Sequence, residues 1–91
     1  MPKVLVIAQV QDGARWEKSF RTHTDIFKSY QLQAPIEYSV SGNDAAVCVD
    51  TSDAKALLQS LNDQTTIDAM KADGVKRETV KVFVLDKDLK V

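Results

Sequence analysis

Apolar and polar residues alternate along this chain with two different periods, and the changes of period mark out its elements. Val4 to Val10 reads Val-Leu-Val-Ile-Ala-Gln-Val, a short β-branched run that suits a strand buried on both faces. Asp12-Gly13 interrupts it, and the Asp12 carboxylate is placed to cap the first amides of a helix. From Ala14 to Tyr30 the period lengthens. Trp16, Phe20, His23, Phe27 and Tyr30 fall within about ±40° of one line on a helix surface. Arg15, Glu17, Lys18, Arg21, Asp25 and Lys28 lie off that line. The pattern predicts a single amphipathic helix over 14–30. It ends before Pro35, because the residue ahead of a proline is driven out of the α region.

Ile36 to Ser41 and Ala45 to Thr51 read as two strands around Gly42-Asn43-Asp44, a hairpin signal. A two-residue turn at Asn43-Asp44 sets Val40 opposite Val47 and Tyr38 opposite Val49. It also sets Glu37 against Asp50, which is unfavourable. Ser52 is suited to cap a second helix, with Asp53 in its first turn. Ala54, Leu57, Leu58 and Leu61 form its apolar stripe. The stripe fails over 62–64, and a further helix is expected from Thr65, with Asp68 completing a capping box. Gly74 suits the position just past its end. Thr79 to Leu85 is the last strand. The order β-α-β-β-α-β predicts one ferredoxin-like α+β domain over 1–91, with a four-stranded antiparallel sheet and helices on one face.

Two helices cover only one face of such a sheet. The valine-rich side (Val4, Val6, Val47, Val49, Val82, Val84) is the natural helix-facing one. Leu5, Ile7, Ala46, Cys48, Phe83 and Leu85 remain on the other. An apolar patch of that extent exceeds what monomers usually leave exposed, so a homodimer through the sheet face is expected. Gln9, Glu37, Ser39, Asp50 and Lys81 on the same side predict a polar rim.

Composition narrows the picture. The chain has 12 Lys plus Arg against 13 Asp plus Glu, for a net charge of −1, which argues against a nucleic-acid partner. No apolar run approaches the roughly 20 residues of a membrane span, so no membrane partner is expected. The opening segment reads as a strand and not a signal peptide, which predicts a cytoplasmic protein. The single cysteine, Cys48, excludes an internal disulfide and a cysteine-based zinc site. It has no basic neighbour in sequence to activate it and reads as a small apolar group. Neither a phosphate loop nor a dinucleotide fingerprint is present.

The element order, the aromatic first helix and the broken second helix resemble the dimeric α+β barrel superfamily. So do Val-Leu-Val-Ile-Ala at the start, Trp-Glu-Lys-Ser-Phe at 16–20 and Ala-Asp-Gly-Val at 72–75. That superfamily includes antibiotic-biosynthesis-monooxygenase-like, stress-responsive-barrel-like and muconolactone-isomerase-like families. The resemblance spans Val4 to Leu85 and is architectural. It implies a homodimer, with a pocket between the first helix and the helix-facing side of the sheet.

His23, the only histidine, sits within the aromatic stripe. One reading is a core histidine bonded to a backbone carbonyl. Another is a general base, suited to proton transfer near neutral pH. A third is a lone haem ligand, although no cofactor or metal is called for by a recognisable ligand set. Tyr38 lies on the helix-facing side, where its hydroxyl is expected to converge with His23. Trp16, Phe20 and Phe27 read either as core or as the walls of a pocket for a small apolar or aromatic ligand. Two functions stay open. One is a cofactor-free monooxygenase- or isomerase-like enzyme in which His23 and Tyr38 act on a small aromatic or enolisable molecule. The other is a non-catalytic dimeric module for a small ligand or a protein partner.

Overall fold

The computed structural model describes residues 3–29 and 32–91; Tyr30 of the expected stripe lies outside them. In chain order the elements are β1 (Lys3–Gln9), α1 (Gly13–Phe20), α2 (Thr24–Ser29), β2 (Leu32–Ser41), β3 (Asp44–Thr51), α3 (Ala54–Ser60), α4 (Gln64–Ala72) and β4 (Lys81–Leu85), with a 3-10 turn at Arg77–Thr79 before β4. The four strands form one sheet in the order β2-β3-β1-β4, and every pairing is antiparallel. This is the ferredoxin-like α+β arrangement. None of the described helices is long and apolar enough to cross a membrane.

Register fixes which side chains share a face. Val4 pairs with Val49 and Val84, and Val6 with Val47 and Val82. This valine face carries the core. Leu57 and Ala54 of α3 pack on Val4 and Val49, while Trp16 and Phe20 of α1 pack on Ala45 and Val47. The other face shows Leu5 between Cys48 and Phe83. Phe83 is 46% exposed and Leu85 50%.

The hairpin departs from expectation by two residues. Tyr38 faces Val47 and Val40 faces Ala45, with Ser41 opposite Asp44, so the turn is Gly42-Asn43. Gly42 supplies the positive φ of 59° that such a tight turn needs. Side chains in a strand alternate with period two, so a two-residue slip leaves each on its expected face. It also moves Glu37 away from Asp50 and opposite Cys48. The hairpin tip rests on the start of α1. A Cβ at Gly13 would collide with the Gly42 carbonyl oxygen and come within 2.9 Å of Val40 Cγ2, so only glycine permits this approach.

The first helix is not continuous. Ser19's carbonyl accepts from both the Thr22 amide (3.0 Å) and the Thr22 hydroxyl (2.6 Å), and the His23 amide closes a second three-residue bond on Phe20 at 3.1 Å. The threonine hydroxyl competes with the helical ladder, and the chain restarts as α2 when the Phe27 amide bonds the His23 carbonyl. An unbroken helix would separate residues seven apart by about 10.5 Å along its axis. Here the ring centroids of Phe20 and Phe27 are 5.1 Å apart.

Caps and strand ends refine the remaining expectations. Asp12 caps α1 through the Arg15 amide at 3.2 Å. Asp53, not Ser52, caps α3, bonding the Ala56 amide at 3.0 Å while its own amide donates to Thr51 Oγ1. Asp63 holds the capping position of α4. Asp68 instead accepts from Gln64 Nε2 at 2.7 Å, so no capping box forms at Thr65. Thr79 leaves the last strand because its hydroxyl is engaged elsewhere. It accepts from the Gln9 amide at 2.8 Å and donates to the Lys76 carbonyl at 2.6 Å.

Candidate functional site

Between the two helical pairs and the valine face lies a cavity of about 140 Å³. Trp16, Phe20, His23 and Phe27 form one wall, and Val6, Ala8, Ala45 and Val47 form the floor. Leu57, Thr66, Ala69, Met70 and Asp73 close the far side. The volume is close to that of a cavity known to hold one benzene ring, about 150 Å³. Its surface is almost wholly hydrocarbon and aromatic.

Aromatic packing shapes the first wall. Trp16 and Phe20 stack at 4.8 Å with an interplanar angle of 22°. Phe20 also meets Phe27 and Tyr38, at centroid distances of 5.1 and 5.2 Å. Trp16 is buried at 4% exposure. Such ring pairs contribute about 0.5–1.5 kcal/mol each beyond their buried area.

The polar feature of the cavity is a pair that sequence reasoning did not assemble. His23 Nε2 stands 2.8 Å from Asp73 Oδ2. The two residues are fifty positions apart, His23 on the α1–α2 turn and Asp73 at the end of α4. The Asp73 side chain is 6% exposed and that of His23 21%. The second carboxylate oxygen, Asp73 Oδ1, is buried without a hydrogen-bond partner. Leaving a buried acceptor unsatisfied costs about 1–3 kcal/mol, and more when it is charged.

Backbone geometry holds Asp73 in place. It is the last residue of the α4 turn, and Gly74 follows at a φ of 79°. The Gly74 amide bonds the Lys71 carbonyl and the Val75 amide bonds the Met70 carbonyl, the paired bonds of a Schellman ending. The segment is then tied to the end of β1. The Gln11 amide donates to the Gly74 carbonyl and the Lys76 amide to the Gln9 carbonyl, each at 2.9 Å. Arg15 Nη2 reaches the Ala72 carbonyl at 3.4 Å. One signal in the sequence pointed here: a carboxylate in the last turn of a helix opposes the helix dipole, so its presence there calls for another role.

Tyr38 is placed differently from expectation. Its hydroxyl donates to Glu17 Oε2 at 2.6 Å, and Arg21 Nη1 approaches it at 3.5 Å. It is not part of the cavity wall. The expected convergence with His23 is replaced by ring contact with Phe20. Its hydrogen bond to the Glu17 carboxylate, with a smaller contribution from burial, holds the phenol above its ordinary value of 10.0. Among the described residues no group of three His, Cys, Asp or Glu side chains is arranged to hold a metal.

No protein-family model matches the chain, and no curated protein matches it. Solved structures do. A crystal structure of an antibiotic biosynthesis monooxygenase superposes with a TM-score of 0.68 at 14% identity, covering 98% of this chain and 100% of that one. SnoaB, a cofactor-independent oxygenase from Streptomyces nogalater, gives 0.61 at 14% identity, covering 97% and 95%. A dimeric ferredoxin-like protein from an uncultured marine organism gives 0.53 at 8% identity, covering 99% and 100%. The chain therefore has the ferredoxin-like α+β fold of antibiotic-biosynthesis-monooxygenase-like proteins. At these identities the likeness is one of fold, and a shared fold does not carry a shared reaction.

Proposed function

We propose that this protein is a cofactor-free enzyme of monooxygenase or isomerase type that removes a proton from a small enolisable ring held in the helix–sheet cavity. The observation that carries this reading is the His23–Asp73 pair set in an otherwise apolar cavity. A carboxylate only accepts hydrogen bonds, so with Asp73 ionised the hydrogen between them resides on Nε2 and Nδ1 is the basic nitrogen of the ring. Asp73 orients the imidazole and stabilises the imidazolium that forms on proton uptake. Trp16, Phe20 and Phe27 hold the substrate ring and exclude water. Tyr38 is a positioning residue, bracing Phe20 from behind while Glu17 anchors its hydroxyl.

Removal of a proton beside a carbonyl leaves an enolate. Reprotonation at another carbon completes an isomerisation. Attack on molecular oxygen would give a hydroperoxide, and loss of water from that intermediate leaves a ketone. Oxygen uptake measured with an electrode separates the two outcomes.

The test uses 2-hydroxycyclohexanone as a one-ring probe in deuterated water. The protein should accelerate deuterium uptake beside the carbonyl, and His23→Ala should reduce that acceleration by about 100-fold or more while circular dichroism remains native. Equal exchange by the two proteins would defeat the reading and leave the alternative of a binding module.

We also propose a homodimer through the open sheet face, with Leu5, Phe83 and Leu85 at its centre. The exposure of Phe83 and Leu85 and the dimeric state of the marine ferredoxin-like protein support it. Sedimentation should give a dimer at micromolar concentration, and Phe83→Lys should shift it to monomer.

A further inference from the structure

We infer that the cavity selects uncharged single-ring molecules bearing a hydroxyl or amino hydrogen directly on the ring, and that Asp73 is the residue that selects them. This deepens the proposed function and rests on the same cavity, but it concerns recognition and not proton transfer.

The polar residues on the cavity wall are His23, Ser60, Thr66 and Asp73. Asp73 Oδ2 is engaged by His23, while Oδ1 has no partner and is buried. Ser60, also on the wall, donates its hydroxyl to the Leu57 carbonyl at 2.6 Å. A carboxylate oxygen at Oδ2 accepts, which assigns the shared hydrogen to His23 Nε2, and in the neutral ring Nδ1 then accepts. Asp73 Oδ1 is thus an acceptor on the wall that no donor of the protein meets. A ligand that brings a donor satisfies the orphaned oxygen by a small turn of the carboxylate about its Cβ–Cγ bond. A ligand that brings only hydrocarbon leaves it unsatisfied.

Charge sharpens the choice. A ligand carboxylate would face Asp73 across a low-dielectric gap, where two like charges disfavour each other strongly. A ligand ammonium would have to shed its water among valine, phenylalanine and methionine side chains. A neutral phenol or aniline avoids both costs. Its ring fits a volume of about 140 Å³, and its donor completes the carboxylate. The ring is then fixed at one edge, with the carbons beside the donor presented to the same histidine.

Binding of phenol, toluene, benzoate and benzylammonium to the intact protein, followed by calorimetry and amide NMR shifts, tests the inference. Phenol should bind at least about tenfold more tightly than toluene, with shifts at His23, Asp73 and Ala69. Benzoate and benzylammonium should bind more weakly than phenol. Asp73→Asn should bring the phenol-to-toluene ratio near unity. Equal affinity for phenol and toluene, no phenol binding at millimolar concentration, or tighter binding of benzylammonium would each overturn it. Should Asp73→Asn fail to fold, the ligand series on the natural protein remains decisive. Proton transfer is not read in this experiment. A phenol preference alongside undiminished exchange in His23→Ala would therefore sink the proposed catalysis and leave the recognition intact.

Discussion

The two halves of the helical layer are built on different terms. The α1–α2 half is aromatic and tightly seated. Trp16 and Gly13 are buried, Phe20 touches three other rings, and the hairpin tip lies against the helix start. The α3–α4 half is aliphatic and loosely seated. Leu57 is its buried apolar anchor, and α4 has no buried residue among those described. The difference explains where the cavity is. Large rings anchor one side, whereas Thr66, Ala69 and Met70 on the other are too small or too remote to fill the space against them. Interiors normally close such gaps. Here the gap persists beside the His23–Asp73 pair, which spans the two halves.

Substitutions should break this contrast unevenly. Trp16→Ala removes the central ring of the tight half and should cost about 3–5 kcal/mol in denaturant unfolding. Ala69→Leu, placed on the loose half, should change stability by less than about 1 kcal/mol, because the added carbons enter existing space. It should also abolish phenol binding. Similar losses from the two variants would show that the halves are equally packed.

Gly13→Ala should fall between them, at about 1–3 kcal/mol, since its methyl group meets the Gly42 carbonyl and no flexible side chain can yield. If Gly13→Ala is neutral in thermal unfolding, the hairpin tip is not held against α1.

The smallest effect concerns the outer edge of the tight half. Because the Tyr38 phenol is raised by its bond to Glu17, that bond's stabilisation is complete below the ordinary tyrosine value and is lost as pH rises through the elevated one. Ultraviolet titration should place the Tyr38 step, isolated by difference from Tyr38→Phe, above 10.0. Glu17→Gln should lower it. A step that does not move would mean the contact with Glu17 contributes nothing in solution.

Much of this arrangement follows from local pattern. The β-branched runs expected as strands at 4–10 and 79–85 form strands over Lys3–Gln9 and Lys81–Leu85, Asp12 and Gly74 act at the helix ends they mark, and the valine face is the one that meets the helices. These features depend on residues within a few positions of each other, where alternation, capping and positive φ act directly. The aromatic stripe was also legible, and all four of its described members line the cavity.

Other features turned on particular hydrogen bonds, turn choices and long-range packing that periodicity does not encode. The break at Arg21–His23 depends on the Thr22 hydroxyl reaching Ser19, against a periodicity that favours an unbroken helix. The hairpin slip turns on which residues occupy a two-residue turn, a choice that strand propensities do not settle. The pairing of His23 with Asp73 arises because the Schellman turn at Gly74 is tied to β1, and β1 in turn carries the sheet on which α1 rests. Local preference is short-ranged, so it can designate a histidine on an apolar face. Only packing across fifty residues brings it a carboxylate.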